Sequence, residues 1–181
     1  MEKIYEFDKS IVIGEEGEEI VKKYLESLPA IHKVVNMAKN PLFYHKDVDF
    51  VIEFIDATKK RLEIKTDTYT SGNIYYETVS NNNYKVDGCM KKTECDWLAY
   101  YFIKFDKLYL LKMDKYKEVV EDLIKKDYPA IKKHEVKNRD KTGTKIYTSI
   151  GYTIPLYLIE ELLPANSLRI YSDIKKELEK V

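Results

Sequence analysis

Two runs of alternating residues, DVDFVIEFI over 47–55 and RLEIKTDTY over 61–69, constrain this chain more than any other feature. Side chains on a strand change face at every residue, so Phe50, Ile52 and Phe54 share one face of the first run. Asp49 falls on the other, with Asp47 and Val51. In the second run Ile64 points into a core while Glu63 and Lys65 project together from the opposite face. The polar link over 56–60 is of hairpin length and makes the runs antiparallel neighbours. Such a pairing predicts that Asp49 and Glu63 sit side by side with Lys65 next to them.

Around this hairpin the pattern changes period. Ile20, Val21, Tyr24, Leu25 and Leu28 fall on an i, i+1, i+4, i+5, i+8 stripe, which predicts an amphipathic helix over 14–28 stopped by Pro29. Further strands are expected over 31–37, 73–79, 96–103, 108–113 and, shorter, 145–153. Helices are expected over 114–126, opened by an Asp cap, and over 155–163, while 84–94 carries no decisive pattern. A chain of 181 residues without a Pro/Gly linker or internal repeat reads as one domain, 1–181. Hairpin-length links cannot join parallel strands, so the order favours an α/β sandwich around a mixed sheet over a doubly wound parallel fold.

The function classes excluded are several. No G-x-x-x-x-G-K-[ST] run encodes a phosphate-binding loop. His32, His45 and His134 have no ligand spacing and complete no triad, and Cys89 and Cys95 match no common zinc or redox pattern, which leaves them as packing residues. The first residues lack a secretory pattern and no stretch reaches the apolar length of a membrane helix, so the expectation is a cytoplasmic protein without a membrane partner. Formal net charge is zero, so any affinity for a polyanion must be local. It is found over 125–145, where eight Lys or Arg face three acids, a stretch that also reads as a solvated loop. The 16 tyrosines suit wet grooves as well as cores and fit nucleic-acid contact without requiring it.

Two carboxylates held close raise each other's proton affinity, an arrangement that suits a divalent cation between them. Hard oxygen ligands favour Mg²⁺ or Mn²⁺, which keep waters and accept phosphate oxygens. Acid-x-Lys alone is a weak signal: it occurs at Glu63/Lys65, Glu135/Lys137 and Asp173/Lys175. The first alone lies in an apolar strand with an acid-bearing strand upstream; the second falls in the basic stretch and the third in a charged C-terminal tail. A solvent-facing strand with an incidental charge pair is the competing account of Glu63 and Lys65.

Taken together, the helix GEEGEEIVKKYLESL, then DVDFVI, then RLEIKTD resemble the PD-(D/E)xK nuclease superfamily over about residues 11–113, with SGNIYYETVSN and KKTECDWLAYYF similar to a continuation in its phage and bacterial members. Asp49 matches the Asp, Glu63 and Lys65 the Glu-x-Lys, and Glu18 the helix Glu; Val48 stands where the motif has Pro. The resemblance implies a restriction endonuclease-like three-layer sandwich, a central mixed β-sheet flanked by helices, with residues 114–181 as an elaboration. It implies hydrolysis of DNA phosphodiesters with Mg²⁺ or Mn²⁺ on Asp49, Glu63 and the Ile64 carbonyl, Lys65 assisting the attacking water, and a homodimer. Glu18 would hold a water or second cation, and Glu77 would line the same cleft. Lys91, Lys92, Lys132, Lys133, Lys137 and Arg139 are the expected phosphate contacts. A junction resolvase is as consistent with this pattern as a restriction enzyme, and the alternative is a nuclease-fold DNA- or protein-binding module without turnover.

Overall fold

The computed structural model describes residues 5–43, 46–139 and 142–180, with side chains from residue 11 onward. His45, Asp140 and Lys141, used above, lie outside the described residues. β1 (Tyr5–Glu6) leads directly into α1 (Phe7–Ser27), then β2 (Ile31–Asn36), β3 (Phe50–Phe54), β4 (Lys59–Asp67), β5 (Asn73–Asn81), β6 (Val86–Asp87) and α2 (Cys89–Lys92). β7 (Trp97–Phe102), β8 (Lys107–Lys112), α3 (Met113–Lys125), β9 (Lys132–Arg139) and β10 (Lys145–Pro155) follow. The chain closes with α4 (Leu156–Leu162), a 3-10 turn over Ala165–Ser167, β11 (Leu168–Ser172) and α5 (Ile174–Leu178). The described residues thus form a mixed α/β structure of two sheets and five α-helices, and no helix among them is long and apolar enough to cross a membrane.

The larger sheet has the order β11-β8-β7-β4-β3-β2. β2, β3 and β4 are an antiparallel meander, and β4 then pairs in parallel with β7, Glu63 beside Leu98 and Lys65 beside Tyr100. Its two faces are read from the alternation. Phe50, Ile52, Leu62 and Ile64 turn towards α1, where Val21, Tyr24 and Leu25 complete a core with Ile174 of α5. Each such fully buried side chain contributes about 1.5–3 kcal/mol, so α1 is fixed by its stripe rather than by its intrinsic helicity. Upstream of that stripe α1 extends seven residues beyond the expected start, through exposed Ile11 and Val12.

The other face carries Leu98, Tyr100, Phe102, Tyr109 and Leu111. They pack against Ile74, Tyr76 and Ile154 of the second sheet and against Tyr116, Val120 and Ile159 of α3 and α4. This second sheet, β1-β9-β10-β5-β6, is the main departure from expectation. The basic stretch read as a loop supplies β9, paired antiparallel to β10 and parallel to β1. The Asp cap expected on α3 is also absent: Lys112 holds the cap position, without a side-chain cap bond, and Asp114 lies in the first turn. Asp173 and Lys175 belong to the start of α5 rather than to a loose tail.

Tyrosines concentrate in this architecture for a physical reason. Buried phenols favour a partner, and three reach acids at the rim, Tyr76 to Glu121, Tyr101 to Asp106 and Tyr109 to Glu160, at 3.2, 2.8 and 3.0 Å, while the buried Tyr75 and Tyr116 hydroxyls have none. Tyr100 donates to Asp67 at 2.7 Å and accepts the Tyr75 N–H at 3.2 Å, which ties the backbone edge of β5 to the face of the larger sheet.

Candidate active site

Continuing the Phe50–Leu62 register by one residue sets Asp49 opposite Glu63. Like charges directly opposite on paired strands repel, yet Asp49 is partly covered and Glu63 is only 2 % exposed, on a face that elsewhere builds core. Asp49, one residue before β3, is fixed by β4, its Oδ2 accepting the Ile64 N–H at 2.6 Å. Ile64 itself packs towards α1, so it enters the site through its backbone alone. Lys65 Nζ lies 2.5 Å from Glu63 Oε1, with its side chain 40 % exposed. The other Glu63 oxygen, Oε2, is buried and no donor reaches it; Asp47 Oδ2 is in the same condition.

Glu18 joins them from α1 because the helix comes unusually close to β4. A Cβ on Gly17 would overlap Thr66, with Cγ2 and Cβ of that residue 2.6 and 2.7 Å away, so glycine is what allows the approach. The Glu18 carboxyl then feels the Asp49 and Lys65 charges. Burial, with the Asp49 charge behind it and Lys65 opposing, pushes it up to about 7. Glu63 is pushed up to about 8 by burial and the Asp49 charge, against the pull of Lys65. Asp49 is likewise raised by burial, with Lys65 and the Ile64 N–H acting the other way. Burial would lower the Lys65 ammonium, but the Glu63 and Asp49 charges outweigh it and hold it well above the ordinary lysine range. The four residues are therefore one electrostatic unit whose protonation steps belong to the group. Comparison with protein-family models, curated proteins and solved structures finds no match to this chain.

Glu77 of β5 is partly buried and feels the Lys65 charge: burial raises its carboxyl, Lys65 lowers it, and its Oε2 accepts the Cys89 N–H at 3.4 Å. Gly88 makes that contact feasible, since a Cβ there would stand 2.5 Å from the Glu77 carbonyl oxygen. The expected basic contacts divide. Lys92 pairs with Asp47 at 3.1 Å, beside the site, whereas Lys91 pairs with Asp87 at 3.3 Å. Lys132, Lys133, Lys137 and Arg139 all lie on β9, in the second sheet rather than on a loop, with Arg139 donating to the Gly143 carbonyl at 2.9 Å. Cys89 and Cys95 are free and buried, as packing residues should be.

Sequence reasoning placed Asp47 on the right face but gave it no role. Its position two residues before Asp49 was the available signal; its left-handed backbone, φ 45°, and its partner Lys92 were not readable locally. The donor set suits a hard cation. Among the described residues no three His, Cys, Asp or Glu side chains are gathered into a cage. Mg²⁺, however, is commonly held by one or two carboxylates with water and phosphate oxygens completing its shell. A buried, donorless Glu63 oxygen opposite Asp49 is such an arrangement.

Proposed function

We propose that this chain is a Mg²⁺-dependent deoxyribonuclease of the PD-(D/E)xK kind, with Asp49, Glu63 and Lys65 at its centre and Glu18 beside them. One observation carries the reading: an acid pair that costs stability is built on adjacent strands, one of its oxygens is buried without a donor, and a lysine stands next to it. Incidental surface charge does not bury itself this way. The succession of α1, the β2–β4 meander, short α2 and β7 parallel to β4 supports a restriction endonuclease-like core, with the second sheet packed against it.

Hydrolysis bonds a water oxygen to phosphorus, breaks the bond to the leaving sugar oxygen, removes a proton from the water and returns one to the leaving group. Asp49, Glu63 and the Ile64 carbonyl would hold the cation, which supplies charge neutralisation at the phosphate and a more acidic water. Lys65, kept as an ammonium, has no lone pair to act as a base and instead donates to the water or to a non-bridging oxygen. Glu18, with its carboxyl near neutrality, is matched to accepting the water's proton.

Incubating labelled duplex, single-stranded and four-way-junction DNA with Mg²⁺, Mn²⁺ or EDTA tests this. Cutting is expected with either metal and not with EDTA, and Lys65→Ala is expected to lose about 10³-fold or more in rate. Tight DNA binding without cutting under every metal would replace the nuclease by a binding module.

A further inference from the structure

The stretch from Gly88 to Cys95 is stitched between the two sheets more densely than a connection requires. At one end Glu77 accepts the Cys89 N–H, and Gly88 N donates to the Thr78 carbonyl at 3.0 Å. At the other, Thr93 Oγ1 donates to the Asp47 carbonyl at 2.9 Å and accepts the Cys95 N–H at 3.1 Å. Glu94 N donates to the Lys46 carbonyl at 2.9 Å and Lys46 Nζ lies 2.8 Å from Glu94 Oε2. All of this immobilises Asp47, two residues before Asp49, in a left-handed conformation uncommon for a residue with a side chain. What Asp47 does with its fixed carboxylate is hold Lys92, the last residue of α2, at 3.1 Å.

Resting on the nuclease reading, we propose that Lys92 is a second substrate-contacting cation, which grips a DNA phosphate next to the one at Lys65, and that Asp47 is the positioning residue that aims it. Three observations converge. Lys92 is half-exposed while its partner Asp47 is largely covered, so the ammonium is held by a fixed group and still open to solvent. The helix that carries it is anchored to β5 at one end, where Glu77 accepts the Cys89 N–H, and at the other to Asp47, two residues before Asp49. An ammonium has three donors, and one carboxylate oxygen uses one of them. Lys115 of α3, paired with Glu118 at 2.7 Å, serves as the control.

The experiment compares wild type, Lys92→Ala, Lys92→Arg, Lys115→Ala, Asp47→Asn and the Asp47→Asn/Lys92→Ala double variant. Cutting is followed with Mn²⁺, and binding to the same labelled DNA is followed in Ca²⁺ across a salt series. Lys92→Ala is expected to lose about 10- to 100-fold in kcat/KM and to flatten the log-affinity against log-salt slope by about 1, with Lys92→Arg recovering most of the slope. Lys115→Ala should stay within about threefold of wild type, and the double variant should be no worse than Lys92→Ala alone. If wild type cuts DNA and Lys92→Ala matches it in rate and slope, the assignment of Lys92 is overturned and the nuclease stands. Additive losses in the double variant would remove Asp47 from the positioning role. A wild type that neither cuts nor binds would overturn the nuclease, and Lys92 with it.

Discussion

Asp49→Asn is expected to abolish cutting, by about 10³-fold or more, while making the metal-free protein more stable. An amide at this position still offers an oxygen to the Ile64 N–H, so the strand contact survives. What disappears is one of two opposed charges, and the new NH₂ can donate to the Glu63 carboxyl. The gain at pH 8 should be about 1 kcal/mol, inside the range of about 0.5–2 kcal/mol common for such relief. Its pH dependence has a definite sign. Glu18 and Glu63 sit at about 7 and about 8 in the folded protein, above their ordinary value of 4.5, and Asp49 is raised too. Between 4.5 and 8 the folded protein therefore binds more protons than the unfolded chain, so its stability falls as pH rises through that window and is greatest below it. Thermal unfolding in EDTA should show a Tm that drops from pH 5 to pH 8 in wild type and drops less in Asp49→Asn. A Tm that rises over that interval in wild type would mean that these carboxylates are not the strained group described above.

The larger sheet was legible because its strands are half-buried, and burial on one face writes a period of two into the residues. Phe50, Ile52, Leu62 and Ile64 are core, and the acids between them are turned the other way. Glu18 was legible by resemblance, but what brings it to the acid pair is Gly17 against Thr66, a fit between residues 49 positions apart that leaves no periodic mark. The second sheet was not legible for the opposite reason. β9 runs KKHEVKNR with Lys132 to Glu135 and Lys137 all exposed, so neither face signals a core, and its partners come from the chain's start and from β10. Tyrosine content suited grooves and cores alike, and Tyr76, Tyr100, Tyr101 and Tyr109 are core side chains whose phenols reach acids. Lys92 and Asp47 were each visible, and their pairing across 45 positions was not.

Gly17→Ala is the sharpest test of how the fold delivers Glu18. In an exposed helix the exchange gains about 1 kcal/mol, because glycine loses more backbone freedom on folding than alanine does. Here the added methyl would meet Thr66 on β4, a short branched side chain anchored to a central strand with no flexible end to swing aside. Something must move, and the cheaper element is α1, held by its stripe at Val21, Tyr24 and Leu25 rather than by a ladder. Overpacking of this kind costs about 1–3 kcal/mol, so the helical gain should be outweighed and chemical denaturation should give a net loss. The same displacement carries Glu18 away from Asp49 and Lys65. Activity should therefore fall in the folded variant by more than its loss of stability accounts for, with the acid limb of the pH–rate profile moved down from near 7 towards the ordinary carboxylate range. Wild-type stability and an unchanged profile in Gly17→Ala would mean that α1 has room to spare and that the closeness of Glu18 to the acid pair does not depend on this glycine.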